Sequence, residues 1–292
     1  MATRKEIEAA IEQHAASRIA ELDVNPIKGN FDKEHLLKIH GYIFQDAPKI
    51  DAEYSKEFVR PGEVREIPVG GMWEKNRVLE GAETGYSVFY ARRKLETSLD
   101  EVLNKTGGAE GLRGTKSQAA EKLSQLYGDL DYLHPFREGN SRTLRTFTSQ
   151  MAKEAGFDLD WKTTNVDAIN RNELYIARDR EVISRDVFGV DLQTAMKDSP
   201  NDVKHLVYAG SKDSKTLKDI IQDSMTPIKQ LSQDAKQDKQ LEIIKKKVQE
   251  NPNLNEQQKQ FVMKQVQEKL SKTTEQEQKT KQGKSPDRGL DR

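Results

Sequence analysis

The sequence contains no cysteine. Disulfides, thiolate nucleophiles and cysteine-ligated metals are therefore excluded, while the redox state of its compartment stays open. Net charge is absent too, because 48 basic residues balance 48 acidic ones, and nothing in the overall charge argues for nucleic acid or an anionic membrane as partner. No apolar run reaches the length of a membrane span, and the opening stretch MATRKEIEAAIEQHAASRIAELDVNP lacks the apolar core of a secretory signal. The expectation is a chain made in the cytoplasm with no membrane span. Of 292 residues, 34% are hydrophobic and 33% charged, which suits one ordinary domain carrying a long solvated appendage.

What is present is mostly helical pattern. Ile7, Ile11, Ile19 and Leu22 recur at helical spacing until Asn25-Pro26. A second helix follows a cap at Asn30 or Asp32, with Leu36, Leu37, Ile39, Tyr42, Ile43 and Phe44 turned largely inward. The period shifts to two in RPGEVREIPVGG, where Val64, Ile67 and Val69 read as a short extended pair or hairpin. SVFYARRKLETSLDEVL returns to helix, KTGGAEGLRGT is a loop by its glycines, and SQAAEKLSQLYGDLDYLHPF is a helix that Pro135 ends at His134. Another helix restarts near Thr143, with Leu144, Phe147 and Met151 on one face and Gly156 closing it.

Two further helical stretches take the domain to about Lys197, giving a first domain over 1–198. Residues 199–270 read as a charged amphipathic helical extension, with stripes of Leu241, Ile244 and Val248, then Val262, Val266 and Leu270, on either side of NPNLN. Residues 271–292 have almost nothing to bury and read as a disordered tail.

The chemistry concentrates in HPFREGNSRTLR, His134 to Arg145, a turn that feeds a helix start. Such a start presents free backbone N–H groups and the positive end of the helix dipole, which together suit phosphate. Arg142 and Arg145, three residues apart, add charge-assisted donors for a polyphosphate. Glu138 beside phosphates gains most if a cation lies between them, and Mg²⁺ held by one carboxylate plus phosphate oxygens is the usual arrangement. Asn140 can donate to an oxygen whose charge grows during transfer, and His134 is the candidate general base for a hydroxyl. The loop thus supports nucleotidyl or phosphoryl transfer to a hydroxyl group.

HPFREGNSR resembles the signature of the Fic (Fic/Doc) family, His-Pro-Phe-any-Asp/Glu-Gly-Asn-Gly/Lys-Arg with a second arginine three residues on, and departs from it only at Ser141. GNFDKEHLLKIHGYIFQDAP is similar to that family's first core helix, and PGEVREIPV to the segment entering its hairpin flap. The resemblance implies an all-α core, about 30–197, with one small β-hairpin, and transfer of AMP from ATP onto a Ser, Thr or Tyr hydroxyl of another protein. It implies His134 as base, Glu138 as Mg²⁺ ligand, Gly139 and Asn140 as phosphate cradle, Arg142 and Arg145 as clamps, and Phe136 as a core anchor. A bacterial toxin or secreted effector is the implied setting.

Family members are often restrained by a Ser/Thr-x-x-x-Glu-Gly/Asn element. Ser17 to Glu21, Thr106 to Glu110 and Ser271 to Glu275 approach it without matching in both pattern and place, so the expectation is no built-in inhibitor, leaving a separate small inhibitory protein or an activity needing no restraint. Two further readings stay open: an interaction module whose catalysis Ser141 has weakened, and a variant transferring another phosphate-containing group. At Ser141 a side chain replaces the family's glycine, and as a helix-capping residue its hydroxyl would compete with phosphate for first-turn N–H groups. On that reasoning Ser141 crowds the cradle, and Ser141→Gly raises transfer about tenfold or more. The opposing reading is that the hydroxyl donates to a phosphate oxygen, or reshapes the site for another donor, at no cost.

Overall fold

The computed structural model describes residues 2–67, 73–81, 83, 85–91, 94–185, 214–228, 242–251 and 254–264. Contacts divide the chain into two units, Ile27–Gln230 and a second made of Met1–Pro26 with Leu231–Arg292.

The larger unit is helical. Helix α2 (Lys33–Phe44) starts where the Asp32 carboxylate accepts from the His35 N–H at 2.9 Å, and it buries Leu36, Ile39, His40, Ile43 and Phe44 on one face. Short helical turns α3 (Ala47–Ile50) and α4 (Ala52–Tyr54) and a π turn, Ser55–Val59, follow it. Helix α5 (Leu95–Thr106) leads into α6 (Gly108–Gly111), a single turn inside the stretch expected to be loop. Helix α7 (Lys116–Leu133) begins with a capping box of Thr115 and Gln118 and is the centre of the unit, packed by α5, α8 (Asn140–Glu154) and α9 (Ala168–Ser184). Its Leu123, Leu126, Tyr127 and Leu130 are fully enclosed.

The hairpin lies further along than the sequence pattern placed it. Strand β1 (Glu74–Arg77) pairs antiparallel with β2 (Tyr86–Phe89), Glu74 opposite Phe89 and Arg77 opposite Tyr86. Glu-Lys-Asn-Arg is a largely exposed strand with no apolar residue, so it carries no alternation to read. Tyr86 and Val88 do point inward, and Tyr86–Phe89 is therefore strand; the helix expected from SVFYARRKLETSLDEVL starts only at Leu95. Val64 and Ile67 sit in irregular chain, and Val69 lies outside the described residues.

The domain boundary near residue 198 also needs correction. Helix α10 (Leu217–Ser224) packs on α7 and α9, burying Leu217, Ile220 and Ile221. Strand β4 (Met225–Pro227) pairs antiparallel with β3 (Phe157–Leu159), Met225 opposite Leu159. These residues belong to the larger unit; their few apolar positions are diluted by charged neighbours, which hid them in the composition.

In the second unit, helix α1 (Arg4–Val24) contributes Val24 to a core with Ile244, Val248, Leu254 and Val262, against which Ala16, Ala20 and Met263 pack. Residues 242–249 and 256–264 are helical, on the stripes expected of the extension. The N-terminal helix therefore shares a core with the extension, although the sequence grouped it with the first domain. Leu241, Val266, Leu270 and the tail 271–292 lie outside the described residues. Among the described residues no helix is long and apolar enough to cross a membrane.

Candidate active site

Pro135 disfavours helical backbone at His134, and His134 adopts the left-handed region (φ 47°) as the cap residue of α7. That conformation is held from outside. Arg65, itself buried, donates from Nε to the His134 carbonyl at 2.7 Å and from Nη2 to the carbonyls of Leu133 (3.2 Å) and Ala91 (2.6 Å). Its backbone N–H meets the Pro135 carbonyl at 2.7 Å, and its guanidinium lies over the Trp73 ring. A cation thus caps the carbonyl end of α7 and ties it to the end of the hairpin. Burial pulls the Arg65 pKa down to about 10, which leaves it charged at neutral pH.

The loop closes on itself through Asn140. Its Oδ1 accepts from the Phe136 N–H at 2.9 Å and its Nδ2 donates to the Phe136 carbonyl at 2.6 Å. The amide expected to donate to a reacting oxygen instead braces the loop with Oδ1 and one Nδ2 hydrogen, while its second Nδ2 hydrogen and the Asn140 backbone N–H have no acceptor among the described residues. Phe136 is fully buried and stacks face to face on His40, ring centroids 3.8 Å apart. His40 accepts from the Gly62 N–H at 2.8 Å through Nδ1 and donates from Nε2 to the Glu138 carbonyl at 3.1 Å. Accepting at Nδ1 needs the neutral ring, and burial lowers the His40 pKa to about 3. Nothing in the motif pattern points to His40, since its partners come from other segments.

Gly139 caps α8 with φ +82°, and a Cβ there would lie 2.2 Å from Phe44 Cε2, so no other residue fits this backbone. The first intrahelical bond runs from the Thr143 N–H to the Gly139 carbonyl. The N–H groups of Asn140, Ser141 and Arg142 have no acceptor among the described residues, which is the free-donor arrangement expected of an anion cradle.

His134, Glu138, Gly139, Asn140, Ser141 and Arg142 line one cavity of about 100 Å³. That is below the ~300 Å³ at the small end of ligand-enclosing pockets, so the enclosed part suits a compact anion such as phosphate and a nucleoside would extend into the open. Arg145 is not among the lining residues, and its buried Nε has no hydrogen-bond partner among the described residues. Of the two arginines expected to act on one polyphosphate, Arg142 lines the cavity and Arg145 follows it one helical turn on. Glu138 Oε1 accepts from the Gly139 N–H (2.9 Å) and from Arg142 Nη2 (3.2 Å).

The rest of the wall comes from segments the motif did not reveal. Lys75 and Arg77 reach in from β1, Tyr90 follows β2, and Tyr175 and Arg178 stand on α9. Arg77 is fixed by a two-point ion pair with Asp179 (2.8 Å each), and the Tyr86 hydroxyl donates to the same carboxylate at 2.6 Å. Arg178 grips Asp131 at 3.0 and 2.8 Å, with both side chains enclosed. Burial opposes the charges of that pair, but each ion outweighs it for the other: Arg178 is held cationic and Asp131 below its usual range.

Ser141 is not a cap. It occupies the second position of α8, after Gly139 and Asn140, and its Oγ accepts from Arg178 Nη1 at 3.3 Å. The expected competition with phosphate for first-turn N–H groups therefore does not occur.

The His134 ring packs on Tyr90, centroids 3.9 Å apart, and its buried Nδ1 has no hydrogen-bond partner among the described residues. Burial drives its pKa down to about 3; the Asp131 carboxylate opposes this, and Lys75, Arg65 and Arg178 reinforce it. An imidazole so placed is unprotonated at neutral pH, as a proton acceptor must be. Of the inhibitory candidates, Glu21 bonds to Arg18 in α1, Glu110 pairs with Arg113, and Glu275 lies outside the described residues.

Residues 30–152 match the model of the Fic/DOC family. The chain is 31% identical over 158 residues to the protein adenylyltransferase VbhT of Bartonella schoenbuchensis, an overlap of 54% of this chain and 27% of that protein. It is 27% identical over 168 residues to the probable protein adenylyltransferase Fic of Escherichia coli K12, covering 58% of this chain and 72% of that one. Among solved structures, BepC of Bartonella tribocorum with bound AMPPNP overlaps with a TM-score of 0.49 at 17% identity, over 78% of this chain and 90% of that chain.

Proposed function

We propose, for a chain whose residues 30–152 match the Fic/DOC family model, a protein adenylyltransferase that moves AMP from ATP onto a Ser, Thr or Tyr hydroxyl of another protein. One observation carries the reading: a single cavity joins an unprotonated histidine to a helix start with free N–H donors and an arginine. The names of the Bartonella schoenbuchensis and Escherichia coli relatives support the same activity.

In this reading the phosphate chain of ATP lies on the N–H groups of Asn140, Ser141 and Arg142, with the Arg142 guanidinium alongside. The target hydroxyl approaches past the hairpin. Its oxygen forms a bond to the α-phosphorus, its proton passes to His134, and the bond from the α-phosphorus to the bridging oxygen breaks, releasing pyrophosphate. Proton transfer creates an imidazolium, which the nearby Asp131 carboxylate favours. Arg65 and Asn140 act before the reaction, by fixing where His134 and the cradle stand.

The residues also fit Mg²⁺ brought in with the nucleotide. No group of three or more potential ligands occurs among the described residues, while Glu138 is the one carboxylate lining the cavity, and Mg²⁺ bound to phosphates asks for little more. Glu138 would hold it, exchanging its contacts with Gly139 and Arg142, and the ion would neutralise phosphate charge. Regulation by a separate small protein accords with Glu21 and Glu110 being paired locally. The setting of a toxin or secreted effector rests on the family resemblance alone.

The reading is tested by splitting binding from chemistry. His134→Ala should lower single-turnover transfer by roughly 10²-fold to 10⁴-fold while ATP affinity stays within about twofold. Arg142→Ala should weaken ATP binding about tenfold or more, the size of a charge-assisted contact. Retained transfer in the histidine variant would remove His134 as the base.

A further inference from the structure

The serine in the motif has a partner, and the partner lines the same cavity. Ser141 Oγ accepts from Arg178 Nη1 at 3.3 Å, and Arg178 is locked on its other side by Asp131, both charged side chains being more than nine-tenths buried (4% and 1% exposed). Arg178 also lies over the Tyr127 ring, itself fully enclosed, which leaves the guanidinium little freedom to turn. A hydroxyl has one hydrogen to give and lone pairs to receive. With a lone pair taken by a cation, the hydrogen of Ser141 must point elsewhere, and accepting from a cation makes the group a stronger donor. No acceptor for that hydrogen occurs among the described residues, and Ser141 lines the cavity beside the free N–H groups of the α8 start.

We infer that the Ser141 hydroxyl is a phosphate-binding donor, oriented by Arg178, and that Asp131 acts as the positioning residue for both. The inference rests on the reading of the cavity as the site for the phosphate chain of ATP, and it adds a contact to the helix-start donors and Arg142. Of the two readings that the sequence leaves for Ser141, it favours donation to phosphate over crowding of the cradle. Serine in place of glycine supplies a side-chain donor where glycine offers only backbone, so its loss weakens the site. Arg178 and Asp131 together add no net charge. Their contribution is direction.

The test uses calorimetric titration of the full chain with Mg²⁺·ATP and, separately, with inorganic tripolyphosphate, so that anion recognition is read apart from activity. Ser141→Ala and Ser141→Gly should each weaken both probes about tenfold, the size of one hydrogen bond to a charged group. Ser141→Thr, which keeps the hydroxyl, should return affinity to within about threefold of the parent. In an Arg178→Lys background the loss on going from Ser141 to Ala should shrink to about twofold, because the hydroxyl is no longer oriented. Where Arg178→Lys does not fold, the contrast of alanine with threonine decides alone.

Glycine binding as tightly as serine or tighter, or threonine binding no better than alanine, overturns the inference. A parent that binds neither probe overturns this inference and the proposed function together. A parent that binds both and transfers no AMP in the presence of target protein overturns the proposed function and leaves the anion contact standing.

Discussion

Gly139→Ala tests the geometry on which the cradle depends. Alanine at φ +82° pays about 1–2 kcal/mol for left-handed backbone. Its methyl would also sit 2.2 and 2.3 Å from Phe44 Cε2 and Cζ, contacts that cannot persist. Phe44 has nowhere to go, since it is 1% exposed and packed against His40, which in turn holds Phe136. Forcing an extra carbon into such a core costs about 1–3 kcal/mol, so the total is about 2–5 kcal/mol. At ~2–4 °C per kcal/mol for a domain of this size, the melting temperature should fall by about 4–20 °C. Relief by shifting the start of α8 moves the free N–H groups as well, so ATP affinity should drop at least about tenfold in the folded protein. Differential scanning calorimetry and titration of the same sample measure both effects. A melt within about 1 °C of the parent together with unchanged affinity would refute the packing and the cradle built on it.

The remaining predictions follow from the same contacts. Asn140→Ala strips partners from the Phe136 N–H and carbonyl, each worth about 1–3 kcal/mol when buried, and should lower both melt and transfer; a chemical denaturation series measures it. His40 and His134 both have pKa values lowered to about 3 in the fold, so between pH 6.5 and 3 the unfolded chain binds more protons and stability rises with pH. The slope of unfolding free energy between pH 6 and 5 should include nearly two protons from this pair, about 2–3 kcal/mol per pH unit, and His134→Ala should remove close to one of them. A chain ending near residue 200 should lose its cooperative melt, because Leu217, Ile220, Ile221 and Met225 leave the core at about 1.5–3 kcal/mol each, whereas Ile27–Gln230 should keep it.

The parts of this protein that were legible in its sequence are those whose neighbours in space are neighbours in the chain. His134, Glu138, Gly139 and Arg142 lie within nine consecutive positions, and proline and glycine there announce the turn and the helix start. Amphipathic helices such as α2 and α7 were visible for the same reason, each carrying its own periodicity and cap. Arg178, Asp131 and Lys75 were not legible, because an arginine on a helix face reads as solvated charge until the fold places a carboxylate and a serine against it. Ser141 reads as a cap in the sequence, but Gly139 caps α8 two residues earlier and leaves the serine at the helix's second position. The hairpin was misplaced because β1 has no apolar position, and α10 with β4 was lost because its pairing partner, β3, lies far back in the chain.

AMP transfer is read from which phosphate of ATP ends on protein. The full chain is incubated with Mg²⁺ and a cell lysate, in parallel with ATP labelled at the α-phosphate and ATP labelled at the γ-phosphate, and protein bands are counted for label. The account predicts bands with the α-label only, absent when His134 is replaced by alanine. Bands with the γ-label only, or none with either label from a chain that binds ATP, would contradict it.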